Sequence, residues 1–419
     1  MNQRNTDHPA GQTALLVLVI LIGLNLRPFL TAIGPLAQAI DQRLALGMDT
    51  LAWLTLLPLW LIGVGVLLTP SLRRRASARQ LLGAALLLGI GSAMRFDAQS
   101  GSLLIASAAL CGLGSALVQG VLPALIKQAF ARKVPLVMGI FSACMMGGGA
   151  LGASLTPRLA VSLDWSRALA LWSLPVLLAL VWLGWKVRLP RAAAIAIPHG
   201  EQRLITLPRS WLLIVCFGII NSGYGIVVAW LAPAYMAQGW SAAQAGELVA
   251  WLALAQTASG LGLPLLAARS LDRRPWMGLA IAMQLAGFGG LWLAPEAAPM
   301  LWCMLCGAGL GGSFSLIMVI ALDHLPDPRR AGTLSALMQG FGFMLAATGP
   351  WVAARLYHYM GDFAAAWQWQ LGGLLLMSLL VVRLDPRHYP RVMGLTTTSE
   401  PTLSAPRPTD SATQSNTPA

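Results

Sequence analysis

The chain has 419 residues, 57% of them hydrophobic and 10% charged, and a formal net charge of +13. Soluble globular proteins carry about 25% charged residues, so a water-soluble fold is excluded. The basic excess does not mark a nucleic-acid partner, because most of the lysines and arginines fall in the turns on one side of a succession of apolar spans.

Each span approaches the ~20 apolar residues that cross a ~30 Å hydrocarbon layer. Twelve are predicted, at about 13–38, 50–69, 80–96, 102–126, 134–157, 167–187, 210–236, 243–268, 275–294, 299–322, 331–354 and 363–384. The expected fold is an all-α membrane protein. Residues 1–12 form an N-terminal tail, 13–187 a first six-helix bundle and 188–209 a basic linker. Residues 210–385 form a second six-helix bundle, and 386–419, rich in Thr, Ser and Pro, a disordered tail. The first span is too long for a signal-peptide core. The positive-inside rule places both termini in the cytoplasm of a multi-pass plasma-membrane protein.

The first span carries the sequence Asn25-Leu-Arg27-Pro28. At ~1.5 Å per residue, Arg27 lies about 21 Å and 16 Å from the predicted ends of its span, too deep to snorkel out. A cation at that depth is a functional-site hypothesis. Pro28 and Pro35 each free a carbonyl one turn earlier. Gly23, Arg27, Thr31, Gly34 and Gln38 share one helical face, small and polar, as a cavity lining would be. None of the fifteen acidic residues falls near a span midpoint, so Arg27 has no carboxylate partner in the sequence. The solute itself could supply the counter-charge.

The two halves echo one another. The stretch Gly139-Ile-Phe-Ser-Ala-Cys-Met-Met-Gly-Gly-Gly returns 193 residues later as Gly332-Thr-Leu-Ser-Ala-Leu-Met-Gln-Gly-Phe-Gly, and Pro157 returns as Pro350. Parallel six-helix repeats are the architecture of major facilitator transporters. Cys303 and Cys306 form a lone CxxC with no second pair, which reads as helix packing rather than a metal site.

With Asn25-Leu-Arg27-Pro28 and Thr31, with Leu122-Pro123 ahead of Lys127, with Ala229-Trp230-Leu-Ala-Pro233, and with Leu334-Ser335, Gln339 and Gly342, the chain resembles the cyanate/nitroimidazole transporter (CynX/NimT) family of the major facilitator superfamily. The resemblance covers nearly all of the chain outside its tails. It implies a major facilitator fold and a secondary transporter that moves a small anionic or polar planar solute, cyanate-like or nitroimidazole-like, by alternating access. It also implies that spans 1, 4, 7 and 10 surround a central cavity. The candidate solute contacts are Asn25, Arg27, Thr31, Gln119, Asn221, Tyr224, Trp230 and Gln339, and the candidate gating residues are Arg73, Lys127, Asp272 and Arg273. The loop Thr69–Arg75 keeps only the basic part of the superfamily's usual signature, whereas the equivalent loop of the second half retains Asp272. No cofactor, metal or catalytic residue is expected, and the chain is expected to act as a monomer. The alternatives are an efflux permease for small neutral or aromatic drugs and a non-transporting membrane sensor.

Overall fold

A computed structural model describes residues 9–73, 78–130, 134–186 and 204–393. Among them every regular element is helical. The first span is made of α1 (Pro9–Asn25), α2 (Pro28–Thr31) and α3 (Ile33–Leu44). Spans two to five are α4 (Gly47–Arg73), α5 (Ala78–Ala93), α6 (Gly101–Ala129) and α7 (Val134–Leu163). The sixth is split into α8 (Trp165–Ala170) and α9 (Ser173–Lys186). Spans seven to ten are α10 (Pro208–Ala237), α11 (Ala242–Ala267), α12 (Arg274–Leu293) and α13 (Pro299–Asp323). The eleventh is split into α14 (Pro328–Ala346) and α15 (Thr348–Met360), and the twelfth is α16 (Ala364–Val382). A 3-10 turn (Pro386–His388) and the short α17 (Tyr389–Val392) follow it.

Three of the expected spans are not continuous helices. The first breaks at Leu26–Arg27, ahead of Pro28, and again at Ala32, ahead of Pro35, because proline cannot donate the backbone bond that would carry a helix through. The sixth breaks at Leu171–Trp172, and the eleventh at Ala347, ahead of Pro350. Ten of the described helical stretches are long and apolar enough to cross a membrane, the broken first and sixth spans being counted across their breaks. The third span has the shorter apolar stretch Gln80–Ala93. The eleventh reaches its length only as two pieces.

The packing repeats between the halves. In the first half α1 lies on α7, α4 and α5 lie on α6, and α5 lies on α9; in the second, α10 lies on α14, α11 and α12 lie on α13, and α12 lies on α16. The halves meet through α7 against α11 and α4 against α14. Small residues allow the close approaches. A Cβ on Gly148 would stand 2.0 Å from the Leu24 carbonyl oxygen, the carbonyl that Pro28 leaves without a helical donor. Thr31 Oγ1 donates to the Gly149 carbonyl at 2.8 Å and completes the seam between the broken first span and α7.

Two ion pairs span the junction at one end of the molecule. Arg158 of α7 pairs with Glu247 of α11, and Arg355 of α15 pairs with Asp49 of α4 at 3.4 Å. Asp49 sits in the first turn of α4, where the helix dipole favours it. Cys303 and Cys306 are buried and unbridged in α13.

A candidate solute site between the two halves

Five spans contribute to a pocket of about 150 Å³ between the halves. The first supplies Arg27, α7 supplies Ser142 and Met145, and α10 supplies Asn221 and Tyr224. The remaining wall comes from Gln256 and Thr257 of α11 and from Phe314 and Ser315 of α13. Gly311 of α13 lets the two second-half helices close on each other, since a Cβ there would stand 2.0 Å from the Gln256 carbonyl.

The break in the first span places Arg27. It occupies the N-cap of α2 with φ −126° and ψ −27°, outside helical geometry. Its carbonyl accepts from the Leu30 and Thr31 amides at 2.9 and 3.0 Å, which fixes the turn around it. Its side chain is turned inward and the residue is 7% exposed. The guanidinium carbon lies 4.9 Å from the centroid of the Tyr224 ring, where the ring's negative face favours a cation. Nε and Nη1 are both buried without a hydrogen-bond partner. Among the described residues lining the pocket, Arg27 is the only charged one.

The structure gathers three of the sequence-derived candidates, Arg27, Asn221 and Tyr224, around this pocket and sets the others elsewhere. Asn25 lies two residues before Arg27 and outside the lining. Its Nδ2 donates to the Leu21 carbonyl at 2.8 Å and its Oδ1 is buried without a partner. Thr31 is committed to the seam with α7. Gln119 donates to Ser115 Oγ at 3.0 Å and Gln339 to Ser335 Oγ at 3.3 Å, each within its own helix. Trp230 is 1% exposed, donates to the Pro350 carbonyl at 2.8 Å and packs against Phe363. It therefore braces α10 against α15 rather than facing the pocket.

Of the gating candidates, Arg73 ends α4 and Lys127 lies in α6, but their side chains fall outside the described residues. Asp272 pairs with Arg274 at 2.8 Å, and Arg274 reaches Asp385 at 3.2 Å. The Arg274 guanidinium holds the Asp272 carboxyl below the usual carboxylate range. Arg273 contacts Asp323 at 3.5 Å and donates to the Ala267 carbonyl. These bonds tie together turns of the second half, and none of them reaches the first.

Two further features carry no obvious mark in the sequence. Gln256 and Thr257 sit in an apolar span and were not among the sequence-derived candidates, yet both line the pocket. Arg95, at the end of the third span, is 1% exposed. Its Nη1 donates to the Phe29 carbonyl at 2.9 Å and its Nε to Ser107 Oγ at 2.8 Å. It thus clamps the broken first span just beyond Arg27. A lone arginine beside a turn reads as a surface charge, and only the fold reveals that it points inward.

The model of the Major Facilitator Superfamily matches residues 15–350. The chain is 38% identical over 382 residues to the cyanate transport protein CynX of Escherichia coli (strain K12), covering 90% of this chain and 99% of that one. It is 30% identical over 375 residues to the 2-nitroimidazole transporter of the same organism, covering 88% and 94%. Among solved structures it superposes on the nucleoside transporter NupG with a TM-score of 0.70 at 12% identity, over 89% of this chain and 98% of that one. A bacterial homologue of the lysosomal transporter Spinster, in an inward-facing and unoccupied conformation, gives a TM-score of 0.70 at 15% identity, covering 94% and 99%.

Proposed function

Because the chain belongs to the cyanate/nitroimidazole transporters of the major facilitator superfamily, we propose that it carries a small planar solute with an anionic or strongly accepting edge, bound at Arg27 over Tyr224. The observation that carries this reading is the guanidinium itself: buried, facing the junction of the halves, with two nitrogens unpaired. Nitrogens of a buried charge left unpaired are costly. A carboxylate, cyanate or nitro oxygen would meet them with charge-assisted bonds, bidentate where the geometry allows. Tyr224 offers a flat aromatic floor for a ring.

Residues 13–187 and 210–385 act as the two moving units of an alternating-access cycle, in a single chain that holds the whole site. Both termini face the cytoplasm of the bacterial inner membrane, on the side of the basic turns. In that orientation the ion pairs Arg158–Glu247 and Arg355–Asp49 lie at the outer ends of their helices. Ser142 and Met145 follow the inner end of α7, and Phe314 and Ser315 approach the inner end of α13, so the pocket lies on the inner side of Arg27. We infer a conformation closed at its outer end by these two ion pairs. Flux of cyanate and of 2-nitroimidazole into proteoliposomes tests the function. Concentration-saturable flux of either, abolished in Arg27→Gln, is expected. Binding without flux would make the protein a sensor, and flux unaffected in Arg27→Gln would move the site elsewhere.

A further inference from the structure

A second crevice, of about 430 Å³, lies on the other side of α10. Ile219 and Ser222 of α10 form one wall, Leu345 and Thr348 at the break of the eleventh span a second, and Gly372 and Leu376 of α16 a third. It shares no residue with the central pocket. Asn221 lines that pocket and its neighbour Ser222 lines this crevice, so α10 is the partition between them. Leu345, Leu376 and Trp369 are exposed along it on membrane-crossing spans, so it opens to hydrocarbon rather than to water. Ser222 lies about 21 Å from one end of α10 and about 22 Å from the other. A helical serine can bond back to a carbonyl one turn earlier, as Ser154 and Ser378 do. Ser222 does not, and among the described residues its hydroxyl has no hydrogen-bond partner. A Cβ on Gly349 would stand 2.3 Å from that oxygen, so the hydroxyl is held where α10 meets the broken span. An unpaired hydroxyl facing hydrocarbon at this depth is costly.

The crevice has the size of a small-molecule site and the matching make-up, mostly apolar with a few polar groups. None of its lining residues is ionisable, which selects a neutral molecule. A lipid acyl chain would fill the apolar wall but leave Ser222 unpaired. Another hydroxyl both donates and accepts, as Ser222 does, and meets it fully. At Gly372 an added Cβ would touch nothing within 4 Å, so that wall has room for an apolar body. We propose that this crevice is a second binding site, which takes a neutral amphipathic alcohol from the bilayer, its hydroxyl on Ser222 and its apolar body along Gly372 and Leu376. Such a molecule touches the helix that carries Asn221 and Tyr224 without entering their pocket. It acts beside the solute rather than in its place.

The test is photolabelling of the purified full chain in lipid nanodiscs. The probes are 1-octanol with a diazirine on its chain and the methyl ether of the same molecule, with adducts mapped by mass spectrometry. The alcohol should label residues 215–222, 345–348 and 368–376, and unlabelled 1-octanol should displace it. Labelling there should exceed that by the ether about fivefold or more, the worth of roughly one hydrogen bond. Ser222→Ala should bring the alcohol down to the level of the ether, and Gly372→Phe, which fills the crevice, should suppress both. Adducts spread evenly over the lipid-facing spans would show partitioning alone and overturn the proposal. Equal labelling of the crevice by the two probes would make it an acyl-chain groove and overturn it too, as would a preference for the alcohol that survives in Ser222→Ala. If Ser222→Ala does not fold, the ratio of the two probes on the wild type decides. Arg27→Gln keeps this site distinct from the solute site. Crevice labelling should be unchanged in that variant whether or not solute binding is lost, and its disappearance would place the alcohol in the central pocket and overturn the proposal.

Discussion

Two arginines in this protein are buried to similar degrees and should respond to mutation in opposite ways. Arg95 places Nε on Ser107 and Nη1 on the Phe29 carbonyl, leaving only Nη2 unpaired, and it lies outside the pocket lining, so its role is internal. Arg95→Gln should lower the melting temperature, while the protein that survives binds solute with normal affinity. Arg27 leaves Nε and Nη1 unpaired, so its removal relieves a buried charge. Arg27→Gln and Arg27→Ala should fold and lose on the order of 2–5 kcal/mol of affinity for an anionic solute, roughly 30-fold or more. Arg27→Lys keeps the charge without the planar fork and should retain a weakened fraction. Melting temperature and affinity measured on the same purified variants check both statements. A fall in stability with unchanged affinity in Arg27→Ala would make it a second structural clamp. The depth of Arg27 was legible in the sequence because apolar residues flank it on both sides. The burial of Arg95 was not, because a turn residue's direction depends on what the neighbouring helices leave open. The same limit explains Trp230 and Gln119: residue type and span were readable, but the facing partner, a proline carbonyl or a serine one turn away, was not.

At the scale of elements, the seam between the first span and α7 depends on Gly148. Gly148→Ala would place a methyl carbon on the Leu24 carbonyl oxygen, so the helices must separate. A cost of about 1–3 kcal/mol is expected, as for other overpacked contacts, read as a lower melting temperature in detergent. Because the Leu24 turn sits next to Arg27, solute affinity should fall with it. A second element carries a pH signature. α17 folds back so that the Tyr389 ring stacks on His324 at 3.7 Å between centroids, with Arg209 at 6.0 Å from that same ring. Burial, with Arg209 adding repulsion, pushes His324 down to about 4. The unfolded chain binds this proton near pH 6.5 and the folded one does not, so stability is full above about pH 6.5 and is lost as pH falls toward 4, by on the order of 2–3 kcal/mol. His324→Gln should flatten that part of the melting-temperature profile, and an unchanged slope would show that other groups set it. Pro28 and Pro35 marked the first span as the one with freed carbonyls, whereas Pro157, Pro233 and Pro264 sit inside unbroken helices, so proline alone did not mark the break ahead of Pro350. The internal repeat announced which helices would correspond, though not that the third span would be short.

At the scale of the whole molecule, the ion pairs Arg158–Glu247 and Arg355–Asp49 join the halves at one end. Their side chains are 44–51% exposed, so each is worth little and is screened by salt. They should set the balance between conformations rather than the stability of the fold. Glu247→Gln with Asp49→Asn should shift the protein toward the outward-open form by about 1 kcal/mol or less. Cysteine labels near residue 158 or 355 would report this as faster reaction from outside, with the melting temperature almost unchanged. Slower or unchanged labelling would count against a latch. The overall architecture was legible because hydrophobic length and charge segregation are properties of the sequence alone. The pocket was only half legible, because its second wall comes from α11, whose polar residues acquire meaning only when α7 and the first span are set against them.

The unpaired charge on Arg27 also has an electrical consequence. An alternating-access carrier connects its central site first to one side of the membrane and then to the other, so a charge at that site crosses most of the potential although it scarcely moves. The empty carrier would bear that charge. With a univalent anion bound the site is neutral, and with a neutral azole bound it stays positive. Each elementary charge is worth about 2.3 kcal/mol per 100 mV. A voltage negative inside should therefore hold the empty protein facing inward and slow its return, while leaving the anion-loaded crossing unaffected. In proteoliposomes with a clamped potassium-diffusion potential, exchange of an anionic solute should be insensitive to voltage and net efflux should not. With a neutral solute both should depend on it.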